Sequence, residues 1–136
     1  KHNLPRMATI QNPYSLVNRS FEVGISEVCH RENVGLLAYS PLAFGTLSGK
    51  YLNGQMPENS RIKLFPQYSR YSNKQAQNLT QKYQDLAQEL NISLTQLSLA
   101  FVNNREFLTS NIIGIACIFL AGAMQKYLQA QSPEEI

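Results

Sequence analysis

The sequence predicts a parallel α/β fold, on three observations. Two strand-length apolar runs, Met7-Ala8-Thr9-Ile10 and Val34-Gly35-Leu36-Leu37-Ala38-Tyr39, flank a stretch with helical spacing. Runs apolar on both faces belong to buried parallel strands, and a helix between two of them makes a βαβ unit. Two capping-box signatures then open helices that lead to a third apolar run. A closed (β/α)8 barrel takes about 250 residues. At 136 residues, these strands are either the final three-eighths of a barrel or an open α/β sheet.

The first strand is bounded by Pro5 and by Asn12-Pro13, whose ring holds Asn12 extended and bars an immediate helix. Phe21, Ile25, Val28 and Cys29 then share one face at helical spacing, with Asn18 or Ser20 as N-cap and Glu22, Glu27 and Glu32 on the solvated side. The second strand ends at Tyr39. Residues 40–71 read as a loop rich in Gly and Pro, interrupted by a helical turn over residues 46–52. Loops this long in a compact domain are functional or disordered. Ser72-Asn73-Lys74-Gln75 caps a helix with Ala76, Leu79, Tyr83, Leu86, Ala87 and Leu90 on one face. Ser93-Leu94-Thr95-Gln96 opens a second helix to about Asn103, with Leu94, Leu97 and Phe101 inward. Ser110-Asn111-Ile112-Ile113-Gly114 is the third strand.

Composition narrows the partners. The 12 Lys and Arg against 9 acidic residues are scattered rather than clustered, which argues against a nucleic-acid surface. The longest apolar run, residues 112–124, is short of the ~20 residues that span a bilayer. Cys29 and Cys117 match neither a metal-ligand spacing nor a disulfide framework, and reduced thiols point to a cytoplasmic protein without a bound metal. The start, Lys1-His2-Asn3-Leu4-Pro5, lacks Met and a signal core, which points to a piece of a longer protein.

Chemistry in parallel α/β folds gathers at the carboxyl ends of strands. Those ends carry Gln11-Asn12, Tyr39-Ser40-Pro41 and Gly114. The Gln11 amide both donates and accepts, which suits a ligand carboxamide, and Tyr39 offers a face for a planar ring. Position alone serves equally a Gln that ties down a loop and a Tyr that fills a barrel mouth. The following run, Ser40-Pro41-Leu42-Ala43-Phe44-Gly45-Thr46-Leu47-Ser48-Gly49-Lys50-Tyr51, joins small residues and hydroxyls with one Lys. Backbone N–H groups at such turns bind phosphate, with Lys50 and Arg61 adding charge. The same residue types are also ordinary turn material.

Taken together, Gln11-Asn12-Pro13-Tyr14-Ser15-Leu16-Val17-Asn18-Arg19, Leu37-Ala38-Tyr39-Ser40-Pro41-Leu42, Gly45, Leu47 and Ser48-Gly49-Lys50-Tyr51 resemble the aldo-keto reductase family. The likeness is nearest to its Tas-like branch and the related potassium-channel β subunits. It runs over residues 4–114 and includes both capped helices. The resemblance implies a (β/α)8 TIM barrel of which this chain is the C-terminal portion, strands six to eight with their helices. It also implies NADPH as cofactor, held without a Rossmann domain, and small-molecule aldehydes and ketones as substrates.

By the same resemblance, Gln11 matches the residue that holds the nicotinamide carboxamide and Tyr39 the aromatic that stacks on the ring. Ser40, Pro41, Leu42 and Gly45 match the loop around the pyrophosphate, and Lys50 and Arg61 its basic contacts. Gly114 matches the glycine that heads the family's Gly-Ala-Ser or Gly-Ala-Thr turn. The family's catalytic Asp, Tyr, Lys and His come from strands before the sixth, so the resemblance places no catalytic residue here. Besides a reductase, the chain then fits a non-catalytic NADPH-binding regulatory subunit or an inactive truncated gene product.

The likeness divides the chain into a partial barrel, residues 1–114, and a divergent tail, residues 115–136. After Gly114 stands Ile115-Ala116-Cys117-Ile118-Phe119-Leu120, with no hydroxyl for a phosphate. Ser132-Pro133-Glu134 then resembles a later helix start of the family at nearly the expected distance. Loss and recovery of likeness over residues 115–131 fits two compensating frame changes in the coding DNA better than gradual divergence, the alternative being a natural apolar helix used for oligomer contact.

Overall fold

Side chains alternate across a strand, and that period separates the two faces of the sheet. The computed structural model describes residues 4–113. Strands β1 (Thr9–Pro13), β2 (Gly35–Tyr39) and β3 (Leu108–Ile112) pair in parallel in the order β1-β2-β3. The register sets Gln11 beside Leu37 and Leu37 beside Ser110, then Asn12 beside Ala38 and Ala38 beside Asn111. Leu36 and Ala38 are fully buried, under a cluster of Tyr14, Phe21, Cys29 and Val102. The opposite face, with Gln11, Leu37, Tyr39 and Ile112, is exposed or half-exposed.

Two strands sit differently from their apolar runs. β1 begins at Thr9 rather than Met7, whose side chain is exposed, and runs on through Asn12-Pro13. Proline lacks an N–H but is tolerated on an edge strand, and β1 is at the edge. β3 lies two residues earlier than the apolar run that ends at Gly114. Its end is set by its partner: Ile112 faces Tyr39, and β2 stops there because Ser40 turns left-handed at φ 57°. A bulge at Thr109 lets Leu36 pair with Leu108 and Leu37 with Ser110. There the Thr109 hydroxyl covers Gly35, where an added Cβ would meet it at 1.7 Å.

The helix after β1 is also redrawn. Residues Ser20–Val23 form a separate 3-10 turn, and α1 (Ile25–Glu32) starts after Gly24 with no side-chain cap. Asn18 instead accepts from the Ser20 hydroxyl at 2.8 Å. The break turns Phe21 and Cys29 inward while Ile25 and Val28 face solvent. α1 ends on Asn33 in the left-handed conformation, whose N–H closes the last turn.

The long connection after β2 is ordered by several short turns rather than one. Residues Ala43–Ser48, Leu52–Gly54 and Pro66–Tyr71 are 3-10 turns, and α2 (Arg61–Leu64) is a single helical turn. α3 (Lys74–Glu89) is capped by Asn73, whose side chain accepts from the Ala76 N–H at 2.8 Å, not by Ser72. α4 (Leu94–Asn103) carries the full capping box: the Ser93 hydroxyl accepts from the Gln96 N–H, and the Gln96 side chain accepts from the Ser93 N–H. Leu42, Ala43 and Leu47 from the connection pack with Tyr71, Ala87, Leu94 and Leu99 in a second cluster. Full burial of a Leu side chain is worth about 1.5–3 kcal/mol, so this cluster moors the connection to α3 and α4.

Candidate functional site

The site is built where β1 and β2 end. Gln11 and Tyr39 lie on the same, open face of the sheet, because each is an even number of residues from the Gln11–Leu37 pair. With strands about 4.8 Å apart and about 6.6 Å per two residues, their Cα atoms are about 8 Å apart. Gln11 is exposed and Tyr39 half-buried, so an amide and a phenol ring stand near each other on the open face of the sheet.

The chain leaving Tyr39 is strained. Ser40, Ala43 and Phe44 hold φ of 57°, 48° and 58°, and Gly45 follows at 94°. Left-handed non-glycine residues cost of order 1–3 kcal/mol each and collect at ligand clamps. Leu42 at φ −97° precedes left-handed Ala43, and such alternation turns successive N–H groups into an anion-binding concavity. Ala43 N–H donates to Ser40 O at 2.8 Å and Gly45 N–H to Leu42 O at 2.9 Å, which closes the turn. Pro41 and Leu42 are buried, so their side chains are closed to a ligand.

Both basic residues stand at this turn. A Cβ on Gly45 would lie 3.0 Å from Lys50 Cε and 3.1 Å from its Nζ, which puts the ammonium directly against Gly45. The Arg61 guanidinium lies 5.9 Å from the ring centres of both Phe44 and Tyr68. Lys50 and Arg61 are solvent-exposed, with heads open to an anion. The fold sets Gln11 and Tyr39 on one sheet face with the 40–45 turn following Tyr39, Lys50 against Gly45 and Arg61 near the Phe44 ring; Lys50 also borders Gln81, Gln84 and Gln88 of α3. Gly114 lies outside the described residues, as does the 115–136 tail.

One functional support was not visible in the sequence. Tyr14 directly follows β1, and its N–H donates to Tyr39 O at 3.3 Å, extending the β1–β2 ladder. Its ring is fully buried among Phe21, Phe101 and Phe107, with centroids 6.4, 5.7 and 5.3 Å away. Its hydroxyl donates to Glu22. Burial, with that hydrogen bond, pushes the Tyr14 hydroxyl up to about 12. The Arg19 guanidinium, at 3.0 Å from Nε to either oxygen, holds the Glu22 carboxyl below the usual carboxylate range. Glu22 is thus a half-buried acceptor and not the solvated charge its spacing predicts. Arg19 and Glu22 stand at i,i+3 spacing on the Ser20–Val23 turn, but the Tyr14 hydroxyl reaches them through the path of the chain after β1, which no spacing rule gives.

Among the described residues, no helix is long and apolar enough to cross a membrane. The Aldo/keto reductase family model matches residues 1–130. Protein tas of Escherichia coli is 53% identical over 114 residues, covering 84% of this chain and 33% of that protein. An aldo-keto reductase of Babesia bovis is 39% identical, covering 79% of this chain and 40% of its own length. An L-glyceraldehyde 3-phosphate reductase of Escherichia coli O157:H7 is 33% identical, covering 76% and 32%. The chain thus spans about a third of the length of the curated relatives it matches. In three dimensions it resembles a glycerol dehydrogenase from Gluconobacter oxydans, with a TM-score of 0.63 over 97% of this chain and 45% of that one, at 19% identity. The family model over nearly the whole chain, with an α/β sheet of the matching fold, establishes that this chain belongs to the aldo-keto reductase family.

Proposed function

We propose that this chain is the C-terminal portion of an NADPH-dependent reductase of aldehydes and ketones, with β1, β2 and β3 as barrel strands six, seven and eight. The observation that carries this reading is a succession along the chain: an amide and an aromatic face at the strand ends, then a strained turn with Lys50 against Gly45 and Arg61 near Phe44. That order of chemistry fits a ligand with a carboxamide-bearing planar ring at one end and phosphates at the other. Tyr39 would stack on the ring and Gln11 would hold its carboxamide. In the 40–45 turn Pro41 has no N–H, and Ala43 and Gly45 donate within the turn, so the Leu42 and Phe44 N–H groups would face the pyrophosphate, with Lys50 and Arg61 neutralising its charge. When bound, NADPH supplies a hydride for a carbonyl carbon.

The residues of this chain do the holding: they orient the ring and pin the phosphates. The matching proton donor, by family resemblance, belongs to strands before the sixth. The division into a family-like segment, residues 1–114, and a divergent tail, residues 115–136, belongs to the same reading.

A chimera tests it. Residues 4–113 replace the matching segment of the Escherichia coli relative, and NADPH binding is measured by calorimetry. Tyr39→Ala should weaken binding by about 1–3 kcal/mol, by analogy with aromatic stacking on bases. Lys50→Ala should weaken it in a way that fades with added salt, because an exposed charge contact is screened. Wild-type affinity in both variants would overturn the assignment.

A further inference from the structure

An open groove lies where α3 and α4 meet the segment that follows β1. It offers about 770 Å³ and is lined by Tyr83 and Leu86 of α3, Leu97 and Phe101 of α4, and Leu16. Leu86 is exposed, and Leu97 and Phe101 are half-buried. Leu97, Phe101 and Arg105 follow one another at intervals of four residues, about one helical turn, so an apolar stripe along α4 runs off its end into a charge. None of Gln11, Tyr39, Lys50 or Arg61 lines this groove.

Two arginines line the groove and no carboxylate does. Arg19 and Arg105 stand 5.6 and 4.1 Å from the centre of the Phe101 ring. The Arg19 charge is matched by Glu22, which accepts from its Nε at 3.0 Å. Arg105 is different: among the described residues its side chain makes no hydrogen bond and no ion pair. Its Nε is enclosed without a partner, whereas its terminal nitrogens are not enclosed. An arginine just past a helix end ordinarily bonds the last carbonyls of that helix, but the Asn104 N–H closes α4 instead. Arg105 is thus a half-buried cation beside apolar side chains that lacks a counter-ion.

The lining also selects the form of the occupant. Most of it is helix, whose backbone groups are already bonded, so no strand edge is on offer and recognition falls to side chains. The space holds several side chains at once, which a single small carboxylate would leave largely wet. An amphipathic helix laid in a groove meets both conditions, with apolar anchors one turn apart and a charge at the end of the stripe. We propose that this groove docks an acidic amphipathic helix of a partner protein, its apolar side chains against Leu86, Leu97 and Phe101 and a carboxylate on the terminal nitrogens of Arg105.

Two dye-labelled, end-capped peptides of about four helical turns test this by fluorescence anisotropy against the full chain. Both carry a stripe of Leu one turn apart; one ends the stripe in Glu and the other in Gln. The Glu peptide should bind saturably and more tightly than the Gln peptide, and added salt should erase the difference. Arg105→Gln should weaken the Glu peptide by roughly three- to tenfold, between an exposed and a desolvated charge contact, and leave the Gln peptide unchanged. Arg105→Lys, which keeps the charge, should retain most of the binding. Leu86→Ala, at an exposed position, should weaken both peptides alike. Absence of saturable binding of the Glu peptide to the parent chain overturns the proposal, as does equal affinity of the parent for the two peptides. So does an Arg105→Gln variant that binds the Glu peptide as the parent does. Self-association of the parent that Arg105→Gln abolishes would assign the groove to a second copy, and tighter binding of decanoate than of the Glu peptide would assign it to a small carboxylate; either result overturns the proposal.

Discussion

Replacing Tyr14 by Phe isolates one hydroxyl at the base of the site. The ring stays, with its contacts to Phe21, Phe101 and Phe107, so packing is held constant. What is lost is the hydrogen bond donated to Glu22. Hydrogen bonds to a charged partner contribute about 1.5–3 kcal/mol. Glu22 keeps its contacts to Arg19 and is not orphaned, which places the loss at the low end, about 1–2 kcal/mol. The pH dependence gives a second, independent signature. The folded hydroxyl ionises at about 12, whereas an unfolded tyrosine ionises near ~10. Between those values the unfolded chain has released its proton and the folded one has not, so alkali favours unfolding. Stability from this group is complete below pH ~10 and is lost as pH rises toward the folded value. The phenylalanine variant lacks this loss, so the gap between parent and variant should narrow from pH 8 to pH 11. Urea titrations at both values measure it. A variant within about 0.5 kcal/mol of the parent at pH 8, below the range for such a bond, would refute the reasoning. A gap unchanged at pH 11 would refute the linkage.

Gly35→Ala should cost about 1–3 kcal/mol, because its Cβ would meet Thr109 Oγ1 at 1.7 Å and Cβ at 3.0 Å. Rotating the hydroxyl relieves only the first contact, so adding Thr109→Gly should restore most of the loss in urea midpoint. Ser93→Ala removes the capping box of α4 and should lower stability by about 1 kcal/mol in the same assay; an unchanged midpoint would contradict the cap. Glu22, held low by Arg19, contributes stability that is full above pH ~4.3 and is lost as pH falls through its folded value. Glu22→Gln should therefore flatten the acid limb of the stability profile, and an acid limb as steep as the parent's would count against the ion pair. The purified chain with NADPH and a panel of aldehydes should show no absorbance loss above a buffer blank, since the family's proton donor is expected outside it.

Local signals carried the parallel α/β class, the α4 cap and the second strand, because each is written within a few consecutive residues. The apolar run over residues 34–39 predicted a strand buried on both faces, and the fold buries Leu36 and Ala38 but leaves Leu37 and Tyr39 half-buried, whereas Ser93 with Gln96 announced its own hydrogen bonds. The residues proposed for the cofactor were legible for a different reason: Gln11, Tyr39, Lys50 and Arg61 stand in a long run of family-like residues, whereas their position alone left a structural role equally open. Tertiary structure decided the rest. Strand ends moved because pairing depends on the partner, and left-handed Ser40 stops β2 and with it β3. Glu22 left the solvated face because a turn at Ser20–Val23 brought Tyr14 and Arg19 to it. The Ser72 hydroxyl became a buried, unmatched group because Asn73, one residue on, took the helix cap instead. The strand pairings and the Tyr14 contact to Glu22 depend on the path of the chain in space, whereas the choice of Asn73 over Ser72 as cap is decided by local backbone geometry.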